Sequence, residues 1–192
     1  MDKKIKYKAL AKACQMHNPG DKVVFGEGNL DANVMLVGEA LGKDEVKQGR
    51  PFVGAAGQKL NEYLDMAGLA RKDVYITNVV KKRPLDETAS YPKNRAPNDK
   101  EVEKYRYYLE KELALVDPEL IITLGSTPLK YFMGPSSRIT RMHGTYAVKN
   151  GYCLFFLYHP AAVLYKEDLL ETYERDILEL REFLQEQEIE AI

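Results

Sequence analysis

Val34-Met35-Leu36-Val37-Gly38-Glu39-Ala40-Leu41-Gly42, running on through Lys43-Asp44-Glu45-Val46-Lys47-Gln48-Gly49-Arg50-Pro51-Phe52-Val53-Gly54, decides the architecture of this chain. Val34 to Val37 is a continuous apolar run, the pattern of a strand buried on both faces. Gly38 and Gly42 bracket Glu39 in a turn where the backbone comes close to a ligand, so the strand carries a carboxylate to its carboxyl end. The residues that follow break every helix and strand pattern. At their end Phe52 stands between a proline and a glycine, ahead of a helical pattern, and is a candidate stacking surface. The plainer alternative is a βα loop in which Phe52 caps the core.

The 192 residues, 45% hydrophobic and 30% charged, are enough for one well-buried domain and short for two. We expect a single domain over 1–192, with an N-terminal helix and loop over 1–22 and an extended basic loop over 81–97. A formal net charge of −1 gives no overall field for drawing in a polyanion, so any nucleic-acid surface must be a local basic patch. The cysteines, Cys14 and Cys153, lie far apart and suggest no disulfide framework. The basic start, MDKKIKYKAL, lacks the apolar core of a signal peptide, and no run approaches the roughly 18 apolar residues of a membrane span. A cytoplasmic protein is expected.

Residues 3 to 13 suit a short amphipathic helix with a solvated basic face. Cys14 and His17 have a ligand-like spacing, but only Cys153, His143 and His159 could complete a zinc site, and we expect no metal. Gly57 to Met66 is helical, with Ala67-Gly68 as its stop. Val74 to Val80 is a β-branched and aromatic strand in which Asn78 has no packing reason to stand, unless it caps a turn. The aperiodic loop from Lys81 to Pro97 holds Lys81, Lys82, Arg83, Lys93 and Arg95. Asn98 with Glu101 marks a capping box that opens a long helix whose charges read mostly as a solvated surface. Leu120 to Leu124 is a buried strand closed by Gly125-Ser126, a turn of the kind that binds phosphate with backbone amides. Asn150-Gly151 signals a hairpin before the last strand, which ends at His159-Pro160, and an amphipathic helix from Leu169 closes the chain.

Strands alternating with helices imply a mostly parallel sheet covered on both faces, with ligands bound beyond the strands' carboxyl ends. Glu39, Asn78, Ser126 and His159 each follow or nearly end a different strand. Together with Phe52 and the basic loop they outline a cleft offering a carboxylate, an amide, an imidazole and a stacking ring, a set suited to a planar heterocycle.

The motifs Gly38-Glu39-Ala40, Arg50-Pro51-Phe52-Val53-Gly54, Thr77-Asn78-Val79-Val80-Lys81 with Arg83-Pro84, and His159-Pro160-Ala161-Ala162-Val163-Leu164 resemble the uracil-DNA glycosylase superfamily, closest to its family 4, over roughly residues 23 to 184. The resemblance implies an α/β/α sandwich around a four-stranded, mostly parallel sheet. It also implies a monofunctional, monomeric enzyme that flips uracil out of single- or double-stranded DNA and excises it, the first step of base excision repair. By the same resemblance, Phe52 stacks on the base beside Gly38, Ala40 and Ser126, Asn78 reads its amide edge, and His159 hydrogen-bonds O2. Glu39 orients water, Leu164 and Tyr165 enter the minor groove, and Lys82, Arg83, Lys93 and Arg95 hold phosphates.

Departures from the family pattern accompany the match. Leu41 replaces the usual proline of the first motif. Ala40 and Gly42 stand where another family of the superfamily carries its water-activating aspartate and thymine-excluding tyrosine. Asp86 to Lys93 lengthens the basic loop, without the histidine nucleophile found there in cross-linking relatives. The cysteines that hold an iron-sulfur cluster in family 4 correspond to Cys14, His17, Lys82 and Tyr105. No cofactor is therefore expected, with Tyr105 and Met16 filling the space by packing. Two other functions fit the same residues: a non-catalytic module binding uracil or damaged bases, and a nucleotide-binding protein using the Gly125 turn.

Overall fold

The computed structural model describes residues 2–86, 88 and 91–192. In chain order, α1 (Lys3–His17), β1 (Glu27–Gly28), β2 (Val34–Gly38), α2 (Lys43–Gln48), α3 (Ala55–Ala67) and β3 (Tyr75–Asn78) form the first half. A small ribbon of β4 (Leu85–Asp86) and β5 (Lys93–Asn94) precedes α4 (Asp99–Val116) and β6 (Leu120–Leu124). Next come α5 (Ser126–Met133), α6 (Ile139–Met142), the hairpin of β7 (Tyr146–Lys149) and β8 (Tyr152–Leu157), α7 (Pro160–Tyr165) and α8 (Leu170–Glu186).

The main sheet has six strands in the order β1-β3-β2-β6-β8-β7 rather than the expected four. Its inner strands β3, β2, β6 and β8 are all parallel, as anticipated, and the additional ones, β1 and β7, are antiparallel edges. Along each inner strand, residues alternate between two cores. Leu36, Ile76, Ile122 and Phe155 face α3 and α8, while Met35, Tyr75, Ile121 and Phe156 face α1, α4 and α5. Both faces are covered, which is why the strands read as unbroken apolar runs.

The chain goes from β2 outward to β3, then returns past β2 to β6. That reversal of direction opens a crevice at the carboxyl ends of the strands.

Several local expectations change. The segment after Gly42 is not irregular: Lys43 to Gln48 form α2, capped by Glu45 accepting from Gly42 N–H (3.1 Å) and ended by Gly49 at φ 68°. Six residues are too few to show a period in sequence. Helix α1 continues to His17. Of the Asp86-to-Lys93 extension, residues 87, 89 and 90 lie outside the described residues, and the ribbon pairs its ends, Leu85 with Asn94 and Asp86 with Lys93.

Candidate active site

The ends of β2, β3 and β8 converge on a cleft of about 330 Å³ lined by Glu39, Ala40, Phe52, Asn78, Arg95 and His159, with Leu164 and Tyr165 on its rim. Gly38 ends β2 where no side chain fits: a Cβ there would lie 2.4 Å from Asn78 Oδ1 and 2.5 Å from the Phe52 ring. Glycine is what lets the amide and the aromatic ring approach each other. Phe52 is buried in the core and lines the cleft as well, a position that accommodates either reading of it from the sequence. Its ring stacks on His159, with centroids 5.7 Å apart and planes 26° from parallel.

Asn78 is buried at the end of β3, and its Oδ1 has no hydrogen-bond partner among the described residues. A buried carbonyl oxygen without a partner is costly, and one lining a cleft is available to a donor on a ligand. His159 caps α7: its Nδ1 accepts from Ala161 N–H at 3.1 Å, which puts the proton of the neutral ring on Nε2. Burial pushes its pKa down to about 4, against the opposing pull of Glu45, so the ring is neutral at pH 7. The Thr127 hydroxyl donates to Glu39 Oε2 and fixes that carboxylate. Ser126, by contrast, is exposed and lines an adjoining hollow of about 590 Å³ that shares Glu39 and His159 with the cleft. From this turn it is Thr127 that bonds Glu39. Glu45 was also missed: Glu45 Oε1 accepts from Val53 N–H and Gly54 N–H, each at 3.0 Å, and folds the Phe52 loop back onto α2. Its signal in sequence was the Gly42-to-Glu45 capping spacing.

The basic loop is less cationic than its composition suggests. Lys81 is fully buried, donating to Thr77 Oγ1 and to the Asn78 carbonyl, each at 2.7 Å, and pairing with Glu112. Burial lowers its pKa, while the Glu112 carboxylate opposes that shift. Glu112 and Glu101, expected on a solvated face of α4, are both buried. Arg95 grips Glu101 through two bonds of 2.7 and 3.0 Å, which hold that carboxyl down to about 2 despite burial. Lys82 lies 3.3 Å from Glu101 and 3.5 Å from Asp21. Arg83 donates to Asn94 Oδ1 at 2.6 Å, and Lys93 is exposed on β5.

The positions that correspond to cluster ligands do not fit an iron-sulfur group. Cys14 is fully buried in the core and its thiol is pushed up to about 12 by burial, which disfavours the thiolate a metal needs. His17 Nδ1 is 2.7 Å from the Tyr108 hydroxyl, and Tyr105 donates to Asp21 Oδ2 at 2.8 Å. Asp21 also pairs with Lys104, so charges and tyrosines tie the loop after α1, the basic loop and α4 together. Tyr105 fills the space as expected; Met16 does not, being 67% exposed. Among the described residues, no group of three or more His, Cys, Asp or Glu is placed to hold a metal ion, and no helix is long and apolar enough to cross a membrane.

Comparison with known proteins places the chain in a family. The type-4 uracil-DNA glycosylase of Archaeoglobus fulgidus is 41% identical over 88% of this chain and 85% of its own length. That of Sulfurisphaera tokodaii is 39% identical over 93% and 83%, and that of Thermotoga maritima 43% over 69% and 66%. The family model described as the uracil DNA glycosylase superfamily matches residues 25–184, and this chain belongs to that superfamily.

Proposed function

We propose that this protein excises uracil from DNA by hydrolysing the N-glycosidic bond, leaving an abasic site for base excision repair, and that it does so as a monomer. The observation that carries the proposal is the buried Asn78 amide, whose Oδ1 has no partner among the described residues, set beside the facing rings of Phe52 and His159. Uracil presents an N3–H donor between two carbonyl acceptors. A fixed amide meets that edge with Oδ1 accepting from N3–H and Nδ2 donating to O4, whereas cytosine presents the reverse pattern. A base can reach such a recessed edge only when flipped out of the helix.

As the bond from C1′ to N1 breaks, the electron pair leaves with the base and negative charge grows on O2. His159 Nε2–H donates to that oxygen, and a ring already neutral and pre-oriented by Ala161 needs no reorganisation. Glu39, fixed by Thr127, orients the water that adds to the electron-poor C1′. Leu164 and Tyr165, the latter 86% exposed, fill the gap left in the duplex, and Arg83, Lys93 and Arg95 hold the strand by its phosphates.

Incubation with uracil-containing single- and double-stranded oligonucleotides, followed by alkaline cleavage, tests this directly. Strand breaks at uracil are expected, and at thymine or cytosine none. Binding to uracil-containing DNA without an abasic product would favour a non-catalytic binding module instead.

A further inference from the structure

Phe52 has φ 51°, a left-handed conformation that a residue with a bulky side chain holds only when its surroundings over-determine it. Those surroundings are specific. Arg71, in the turn between α3 and β3, donates from Nη2 to the Pro51 carbonyl at 2.8 Å and from Nη1 to the Phe52 carbonyl at 3.1 Å. On the other side of the same peptide unit, Glu45 accepts from Val53 N–H. The peptide that follows Phe52 is therefore held at its oxygen by a cation and at its N–H by an anion. The guanidinium is itself aimed by Asn61 Oδ1 at 3.0 Å and Glu27 Oε1 at 3.1 Å, and Arg50 clasps Glu27 in turn. Helix α3 closes in on the same carbonyl: a Cβ on Gly57 would stand 1.9 Å from Phe52 O. Arg71 is 24% exposed and lies outside the cleft lining, so it touches neither base nor phosphate there.

We propose that Arg71 is a positioning residue for base recognition: its planar fork, spanning two successive carbonyls, holds the Phe52 ring against the place where uracil stacks. A lysine ammonium lacks the planar fork that meets two successive carbonyls together with Asn61 and Glu27, so arginine suits the place better than lysine. The proposal rests on Phe52 being the stacking surface.

The test uses the full chain, with Phe52→Ala, Arg71→Gln, Arg71→Lys and the double variant of Phe52→Ala with Arg71→Gln. Thermal melts establish that each is folded at the assay temperature, and should Arg71→Gln not fold, Arg71→Lys carries the comparison. Arg71→Gln is expected to lower kcat on uracil-DNA about tenfold and to weaken inhibition by free uracil by a similar factor. Affinity for abasic DNA, which offers backbone but no base, should stay within about twofold. Arg71→Lys should lose about threefold. In the Phe52→Ala background, Arg71→Gln should add less than about twofold, because the ring it positions is gone. Wild-type activity in Arg71→Lys, equal losses on abasic and uracil-containing DNA, or a full additional factor in the double variant would each overturn the clamp alone. Full activity in Phe52→Ala would sink the stacking role, and the clamp with it.

Discussion

Replacing Lys81 with methionine removes the cation from a buried pair and leaves Glu112 in the core with only neutral donors among the described residues. Three remain: Gly26 N–H at 3.0 Å, the Tyr75 hydroxyl at 2.8 Å and the Thr77 hydroxyl at 3.1 Å. Breaking a buried pair costs roughly 3–5 kcal/mol, and these surviving donors put Lys81→Met near the lower end, about 3 kcal/mol. Glu112→Gln leaves the ammonium with Thr77 and the Asn78 carbonyl as its acceptors and should cost about as much. With both changes neither charge is stranded, and the amide that replaces the carboxylate still offers an acceptor to Gly26 and Tyr75. The double variant should thus lose about 2 kcal/mol rather than the additive sum of about 6, a coupling of about 4 kcal/mol. Urea denaturation of the four proteins measures this, and each single variant should also melt roughly 6–12 °C lower. Additivity to within about 0.5 kcal/mol would refute the coupled pair. The salt slope of DNA binding supplies an independent check. A buried Lys81 contributes nothing to it, so a fall of about one unit in Lys81→Met would put this charge on the DNA path instead.

His159→Ala should lower kcat by about 10²–10³ while DNA affinity changes only a few fold, because the imidazole acts on charge that appears in the transition state; equal losses would remove that role. With the His159 pKa at about 4 in the folded protein and near 6.5 when unfolded, the unfolded chain takes up the proton first. Stability should therefore be full above about pH 6.5 and decline as the pH falls toward 4, which chemical denaturation at a series of pH values will follow. Asn78→Asp should extend excision toward cytosine, since a protonated carboxyl can present donor and acceptor reversed, as assayed on cytosine-containing strands. Among the loop cations, Lys93→Ala should flatten the salt dependence of binding by nearly one unit, and Lys82→Ala by clearly less, since Lys82 faces Asp21 and Glu101. Activity should survive chelators, and purified protein should carry no acid-labile sulfide, as expected of a chain with Cys14 as its sole thiol at the cluster positions.

The inner strands were legible in sequence because burial on both faces leaves no polar residue to interrupt Val34–Val37 or Leu120–Ile122, and β2 and β6 both run out into a glycine. Glu39, Asn78 and His159 stood out for the same reason, as polar groups at or just past the ends of such runs. Pairing across the fold was not legible. Lys81 belongs to a basic run and Glu112 to a helix rich in charge, and nothing local distinguishes a carboxylate that turns inward from its solvated neighbours. Ser126 and Thr127 are both hydroxyl residues of one turn, and only the fold decides which of them meets Glu39. Arg71 gave no signal either, since the two carbonyls it spans are backbone groups, which every sequence supplies alike, and its side-chain partners Glu27 and Asn61 lie far from it in sequence.

Because each wall of the cleft hangs from a different strand, the site has no local precursor during folding. Glu39 and His159 are brought together only when β8 docks beside β6, after the intervening crossovers have closed. Long-range parallel pairings of this kind form late and cooperatively. A chain emerging from the ribosome holds Phe52 and Asn78 well before it holds His159, and until β8 docks, the edge of β6 is open to mispairing. Glycosylase turnover should therefore serve as a strict reporter of completed folding, with partly folded or truncated chains contributing nothing to it.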